Sequence, residues 1–201
     1  MAELKGFEYL RKKLDHHRRR GLLRYAQYDM KHVDIDVGIT IPIALRHQYR
    51  ATLGWCSKAV DVLADRLVFR EFENDNFQIN EIFRLNNPDT LFDSAVLSAL
   101  ITSCCFVYII PDEVPRLQVI EGTNATGVID PITGLLLEGY AVLKRDDFGH
   151  PVEEAYFEPG RTTYFKKEKQ WTITHNSPYP LLVPIVHRPD AMRPFGRSRI
   201  T

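Results

Sequence analysis

Phe106-Val-Tyr-Ile-Ile110, closed by Pro111-Asp112, is where the chain changes texture. Five large β-branched or aromatic side chains in a row favour extended backbone, and the Pro-Asp pair stops it. The same grammar repeats downstream. Residues 116–121, 135–144, 152–158, 161–166 and 170–175 read as strands. Turn signals part them at Pro131-Ile-Thr-Gly134, Asp146-Asp-Phe-Gly149, Glu158-Pro-Gly160 and Lys166-Lys-Glu-Lys169. Connections this short join antiparallel neighbours and leave no room for crossover helices. Val183-Pro-Ile-Val-His-Arg-Pro189 adds an apolar strand that ends in a Pro-rich corner.

Upstream of Cys105 the period is helical. Leu4, Phe7, Leu10 and Leu14 recur at three and four, followed by Arg18-Arg19-Arg20. Gly21 then separates a second helical piece running through Tyr25, Tyr28 and Met30. Residues 33–42 alternate apolar with polar or small side chains and predict an extended arm ending at Pro42. Across 44–66, Leu53, Cys56, Val60, Leu63 and Leu67 restore the helical step. Leu67 to Phe72 reads as a short strand. Phe77, Ile79, Ile82 and Phe83 read as a short helix ending at Asn86-Asn87-Pro88. Asp89 or Thr90 suits the N-cap of the next helix, whose Leu91, Ala95, Leu97, Leu100 and Ile101 leave it apolar on most sides and hence buried.

The fold class is therefore α+β, with N-terminal helices followed by an antiparallel β-rich meander. The organisation divides into a basic helical region with its arm (1–43), an α+β domain (44–195) and the start of a further element (196–201). Gly196, Arg197 and Ser198 read as a helix start. A helix that starts there, just ahead of Thr201, predicts the front part of a longer protein.

Composition narrows the class. With 44% apolar and 26% charged residues among 201, the chain can bury a core and resembles an ordinary globular protein. Net charge is zero, which permits self-association, since nothing repels one copy from another. Residues 1–32 nevertheless hold nine basic against four acidic side chains, a net of +5. Cys56, Cys104 and Cys105 make a poor disulfide framework, because an adjacent pair on one element points to opposite faces, so buried reduced thiols are expected. No run approaches eighteen apolar residues, so no membrane partner is expected.

Catalytic signatures are few. The sequence has no phosphate-binding G-x-x-x-x-G-K-[ST] loop, G-x-S-x-G elbow, H-E-x-x-H helix or C-x-x-C pair. Pro111-Asp112 matches half of a metal-dependent nuclease signature, but no acidic-apolar-Lys triplet follows. Asp34 and Asp36 share one face of the arm, a pattern that would suit a divalent cation, and solvent-facing alternation explains them equally well. His16-His17 fit a solvated helix face. His150, His175 and His187 lie far apart in sequence and would form a metal site only by folding coincidence. Asn124-Ala-Thr126 matches the glycosylation pattern without a secretory signal. The expectation is no catalytic residue, no cofactor and no metal. The candidate contacts are the basic side chains Arg11, Lys12, Lys13, Arg18, Arg19, Arg20 and Arg24. Two functional roles suit them: meeting phosphates, or meeting an acidic surface on a partner. A third account makes them the soluble face of an amphipathic helix.

Four stretches together resemble one family. They are Trp55-Cys-Ser-Lys-Ala-Val-Asp-Val-Leu-Ala-Asp-Arg-Leu67, the apolar helix and strand through Val107-Tyr-Ile-Ile110, Ile129-Asp-Pro-Ile-Thr-Gly134, and Pro184-Ile-Val-His-Arg-Pro189 running into Arg193-Pro-Phe-Gly-Arg-Ser-Arg-Ile200. Their order is similar to the N-terminal part of portal proteins of tailed bacteriophages, the group typified by the phage SPP1 portal. That family has a "V-D-x-L-A-x-R-L" type helix, then a helix leading into a strand, then a β-rich stretch closed by a "G-x-S-x-I" type turn. Residues 55–67 and 193–201 are the most specific pieces. The resemblance implies a wing-like domain over 44–195, with 196–201 opening a truncated stem or channel region. It also implies a non-enzymatic subunit of a homo-oligomeric ring, dodecameric in the full-length form, at a capsid vertex of the virion, assembled in the host cytoplasm. Double-stranded DNA would pass through the channel during packaging and ejection. Terminase large subunit, capsid or scaffold, and head-completion proteins would be its partners. The alternatives are a metal-dependent nuclease-like phage enzyme using Asp112, and an adaptor module that docks through the basic helix.

Overall fold

The computed structural model describes residues 4–31, 54–73, 75 and 77–200. The extended arm expected at 33–42, with Asp34 and Asp36, and the start of the expected 44–66 helix lie outside those residues. The described chain is mixed α+β: helices come first, and two antiparallel sheets follow.

Helix α1 (Phe7–Tyr28) runs unbroken through 22 residues. The expected division at Gly21 does not occur. A mid-helix glycine costs about 1 kcal/mol in propensity, but tertiary packing overrides that here. Gly21 is buried against the turn at Thr123, and a Cβ at Gly21 would lie 2.5 Å from the Thr123 methyl. The glycine permits a close approach rather than ending the helix.

Helix α2 (Trp55–Ala64), helix α3 (Ile79–Leu85) and helix α4 (Pro88–Thr102) follow. The strand expected at Leu67–Phe72 does not form, since no strand pairs with it among the described residues. Its rings turn inward instead, Phe69 meeting Phe72, Phe83 and Phe92 at 4.9, 4.5 and 5.6 Å between centroids. The Asn80 side chain takes both backbone groups of Phe72. Helix α4 starts earlier than expected, with Asn87 rather than Asp89 or Thr90 at its N-cap. Pro88 fills the first helical position, where its fixed φ suits a helix and its missing N–H costs nothing.

The first sheet is ordered β2 (Arg116–Glu121), β1 (Cys104–Ile110), β8 (Leu182–Val186). The second is a meander of β3 (Ala125–Ile129), β4 (Leu136–Arg145), β5 (Pro151–Glu158), β6 (Arg161–Lys166) and β7 (Lys169–Thr174). Strand β3 escapes the sequence reading because its small residues look like a turn. Gly127 sits in its middle, and a Cβ there would meet the Glu138 carbonyl at 2.5 Å. The glycosylation-type Asn124-Ala-Thr126 opens this strand, with Ala125 and Thr126 buried.

Alternation decides the layers. Phe106, Tyr108 and Leu182 of the first sheet meet Ala141, Ala155 and Phe157 of the second in the main core. The outer face of the first sheet carries α4 through Ala95, Ala99 and Cys105. The outer face of the second carries the front of α1 through Leu10, Leu14, Tyr140 and Tyr156. Cys104 and Cys105 accordingly point to opposite layers, and all three cysteines are free thiols. Burial pushes Cys104 up to about 11 and Cys105 up to about 12, so both thiols stay protonated.

Glu138 is fully buried on the α1 side of β4, yet well satisfied. Its carboxylate accepts from the Lys5 and Gly6 amides at 2.7 and 3.1 Å and from the Tyr156 hydroxyl at 2.7 Å. These amides open α1, so the carboxylate meets the positive end of the helix dipole. This is what fixes α1 on the meander.

Candidate functional site

The tail leaves β8 through a tight corner. His187 Nδ1 donates to the Arg197 carbonyl at 2.7 Å, and the Arg197 amide returns a bond to the His187 carbonyl at 2.9 Å. Gly196 sits between them at φ +72°, where a Cβ would lie 2.2 Å from the His187 oxygen, so only glycine fits. Asp190 accepts from the Met192 and Arg193 amides and from the Arg197 guanidinium. The Arg197 bond, foremost, holds the Asp190 carboxyl below the usual carboxylate range.

Beyond the corner no helix forms up to Ile200. The expected helix start at Gly196, Arg197 and Ser198 is instead a strap across α4. Ser198 Oγ donates to the Ile101 carbonyl at 2.6 Å and accepts from the Ile200 amide, and the Arg199 amide reaches the Leu100 carbonyl. Ile200 enters the cluster of Val60, Leu63 and Ala64 from α2 with Leu100 and Ile101 from α4. Residues 55–67 and 193–200 therefore meet in space.

Helix α1 sorts its basic residues by face. Arg11 pairs with Glu154 of β5 at 3.5 Å. Arg18 lies beside the β4–β5 turn, its guanidinium close to Gly149. Lys12 and Arg19 face solvent. Lys13, Arg20 and Arg24, with His17, recur at a helical step and line one cleft of about 530 Å³. The opposite wall is the tail corner, with Arg193, Phe195 and Arg197, and the floor is Thr102–Cys104.

Among the described residues no carboxylate lines this cleft. Lys13 Nζ donates to the Gly127 carbonyl at 2.7 Å and lies 4.3 Å from the Phe195 ring centre. Burial, and then Lys5, lower its pKa to about 8. Arg24 donates to the Thr102 carbonyl at 2.9 Å, while its Nε is buried without a partner. Burial, then Arg20, pull the Arg24 pKa down, and burial with His16 does the same to His17. Arg197 is committed to Asp190. The side chains of Arg20 and Arg193 have no hydrogen-bond or ion-pair partner among the described residues. The arrangement is a preformed concentration of positive charge that favours an anion.

The basic cluster is thus several sites rather than one. Arg193 and Arg197 escape the sequence reading because the tail there reads as a helix start. The step shared by Lys13, His17, Arg20 and Arg24 is legible, but Gly21 reads as a break in it. Asp112 pairs with Arg116 at 3.2 Å on the surface. His150 faces Asp146, His187 holds the tail, and no three His, Cys, Asp or Glu side chains gather to hold a metal among the described residues. No described helix is long and apolar enough to cross a membrane.

Comparison with known proteins yields no matching family model and no matching curated protein.

Proposed function

We propose that the chain is a structural subunit of a tailed-phage portal ring. In this reading it sits at a capsid vertex, surrounds a channel for double-stranded DNA, and offers a platform to terminase, capsid or scaffold, and head-completion proteins. One observation carries the reading: the two most specific portal-like stretches, 55–67 and 193–200, lie more than a hundred residues apart yet share one apolar cluster through Val60, Leu63 and Ile200. Their resemblance then has a structural reason, since the helix supplies the seat and the Gly196 corner delivers the strap to it.

A second observation supports assembly. From α2 to α3 the surface carries large apolar side chains, with Trp55 78% and Phe77 81% exposed, and Val68 and Leu85 nearly as open. Exposed apolar surface on this scale suits burial between neighbouring copies. Zero net charge offers no repulsion against it.

The experiment is mass photometry over rising concentration, paired with Trp55→Asp and Phe77→Asp. The reading expects large closed oligomers that both variants dissolve while each keeps its circular dichroism spectrum. Monomers at every concentration would sink it.

A further inference from the structure

We infer that the cleft between α1 and the tail corner binds a small phosphate-bearing anion. This goes beyond ring assembly and does not depend on it.

Four observations converge. The cleft is concave and, at about 530 Å³, large enough for a ligand of nucleotide size or smaller. Among the described residues its lining carries five Lys or Arg side chains and no carboxylate, although the chain as a whole is neutral. Asp190 neutralises only Arg197 and Glu138 acts on Lys13 from outside the cleft, which leaves Arg20, Arg24 and Arg193 without a facing acid among the described residues. The donors also have capacity to spare: Arg20 and Arg193 are uncommitted, and the Arg24 Nε–H is buried without an acceptor. A buried donor left unmade costs stability, and an arriving oxygen would recover it.

The chemistry selects phosphate over other anions. Three guanidinium groups on two walls present several N–H donors, and phosphate oxygens accept from such groups in pairs. Lys13, held over the Phe195 ring and bonded to Gly127, adds a point charge at a fixed position. The site is recessed: its floor is Thr102 and Cys104, both buried. A free oligophosphate or the phosphates of a nucleotide can reach that floor, whereas the backbone of a duplex is held outside by its width.

Calorimetry with inorganic pyrophosphate and with ATP tests this on the chain as it stands. Saturable binding of pyrophosphate is expected. If ATP competes for the same site, the natural source is a nucleotide. If only pyrophosphate binds, the source is a free oligophosphate. Either result supports the inference. Arg20→Glu should weaken binding by about tenfold or more. Arg19→Glu makes the same charge change on the solvent face of the helix, so it should alter binding less than about twofold. Arg193→Gln gives an independent loss from the other wall. No binding of either probe at millimolar concentration would overturn the inference. So would equal losses in Arg19→Glu and Arg20→Glu, which would reveal only the general field of the helix. Displacement of pyrophosphate by a short DNA duplex more readily than by ATP would also overturn it.

Discussion

The two ends of α1 treat charge in opposite ways. At the front, Phe7 packs on Tyr140, Tyr156 and Phe165, and Leu10 and Leu14 are sealed beneath the helix. The one buried charge there, Glu138, has three donors. At the back, Arg20 acts on Arg24, and both line a cleft with Lys13 and Arg193 that holds no acid among the described residues. The front end is built for stability. The back end holds like charges together at a cost, and such unrelieved repulsion belongs to a surface waiting for a partner. One helix therefore anchors the fold and presents a site, and Gly21 lies within the cleft-lining stretch.

This contrast can be broken at either end. The largest effect is expected at the front: Glu138→Ala strands the amides that open α1 and the Tyr156 hydroxyl. It should cost about 3 kcal/mol in urea unfolding. Next comes the tail strap, where Ile200→Ala should cost about 2 kcal/mol, since Ile200 is only half buried. Hydrogen exchange should then show α2 and the C-terminal end of α4 loosened while the meander stays protected. Gly21→Ala should cost about 1 kcal/mol despite alanine's better helix propensity, because the new methyl meets Thr123. A gain in stability would show that the close approach at Gly21 does not matter.

The back end should respond with the opposite sign. Arg20→Gln relieves repulsion and should raise the melting temperature slightly. Lys13 offers a pH test. Its pKa is near 8 in the folded chain against 10.5 unfolded, chiefly through burial, with Lys5 adding to the drop and Cys104 and Glu138 opposing it. Between those values the unfolded chain binds more protons, so this residue's contribution to stability improves as pH rises. The stability of the wild type relative to Lys13→Met should therefore climb from about pH 8 upward. A flat difference would place Lys13 in ordinary solvent.

Legibility followed the range of the interactions. The hairpins β4 to β7 rest on neighbours in sequence, and their alternation and turns announce them. Pairing of β8 with β1 spans some eighty residues, and nothing local signals it. Strand-forming composition is not enough without a partner: residues 67–72 carry the side chains of a strand, but no strand pairs with them among the described residues, and their rings form a cluster instead. Gly21, read as a break, and Gly127, in a stretch the sequence reading leaves unassigned, share one explanation. Each looks like a breaker in one dimension, and each is a contact in three. The cleft was half legible. Its α1 wall follows a helical step, but the Arg193 and Arg197 wall required the corner made by Gly196, Asp190 and His187.

The proposed role requires this fold to assemble into rings as a portal-type subunit would. Electron microscopy of the purified protein tests it most directly. Closed, rotationally symmetric rings of about a dozen copies, with the α2–α3 surface between neighbours, are expected. Particles of monomer size throughout, or open filaments that never close, would contradict it.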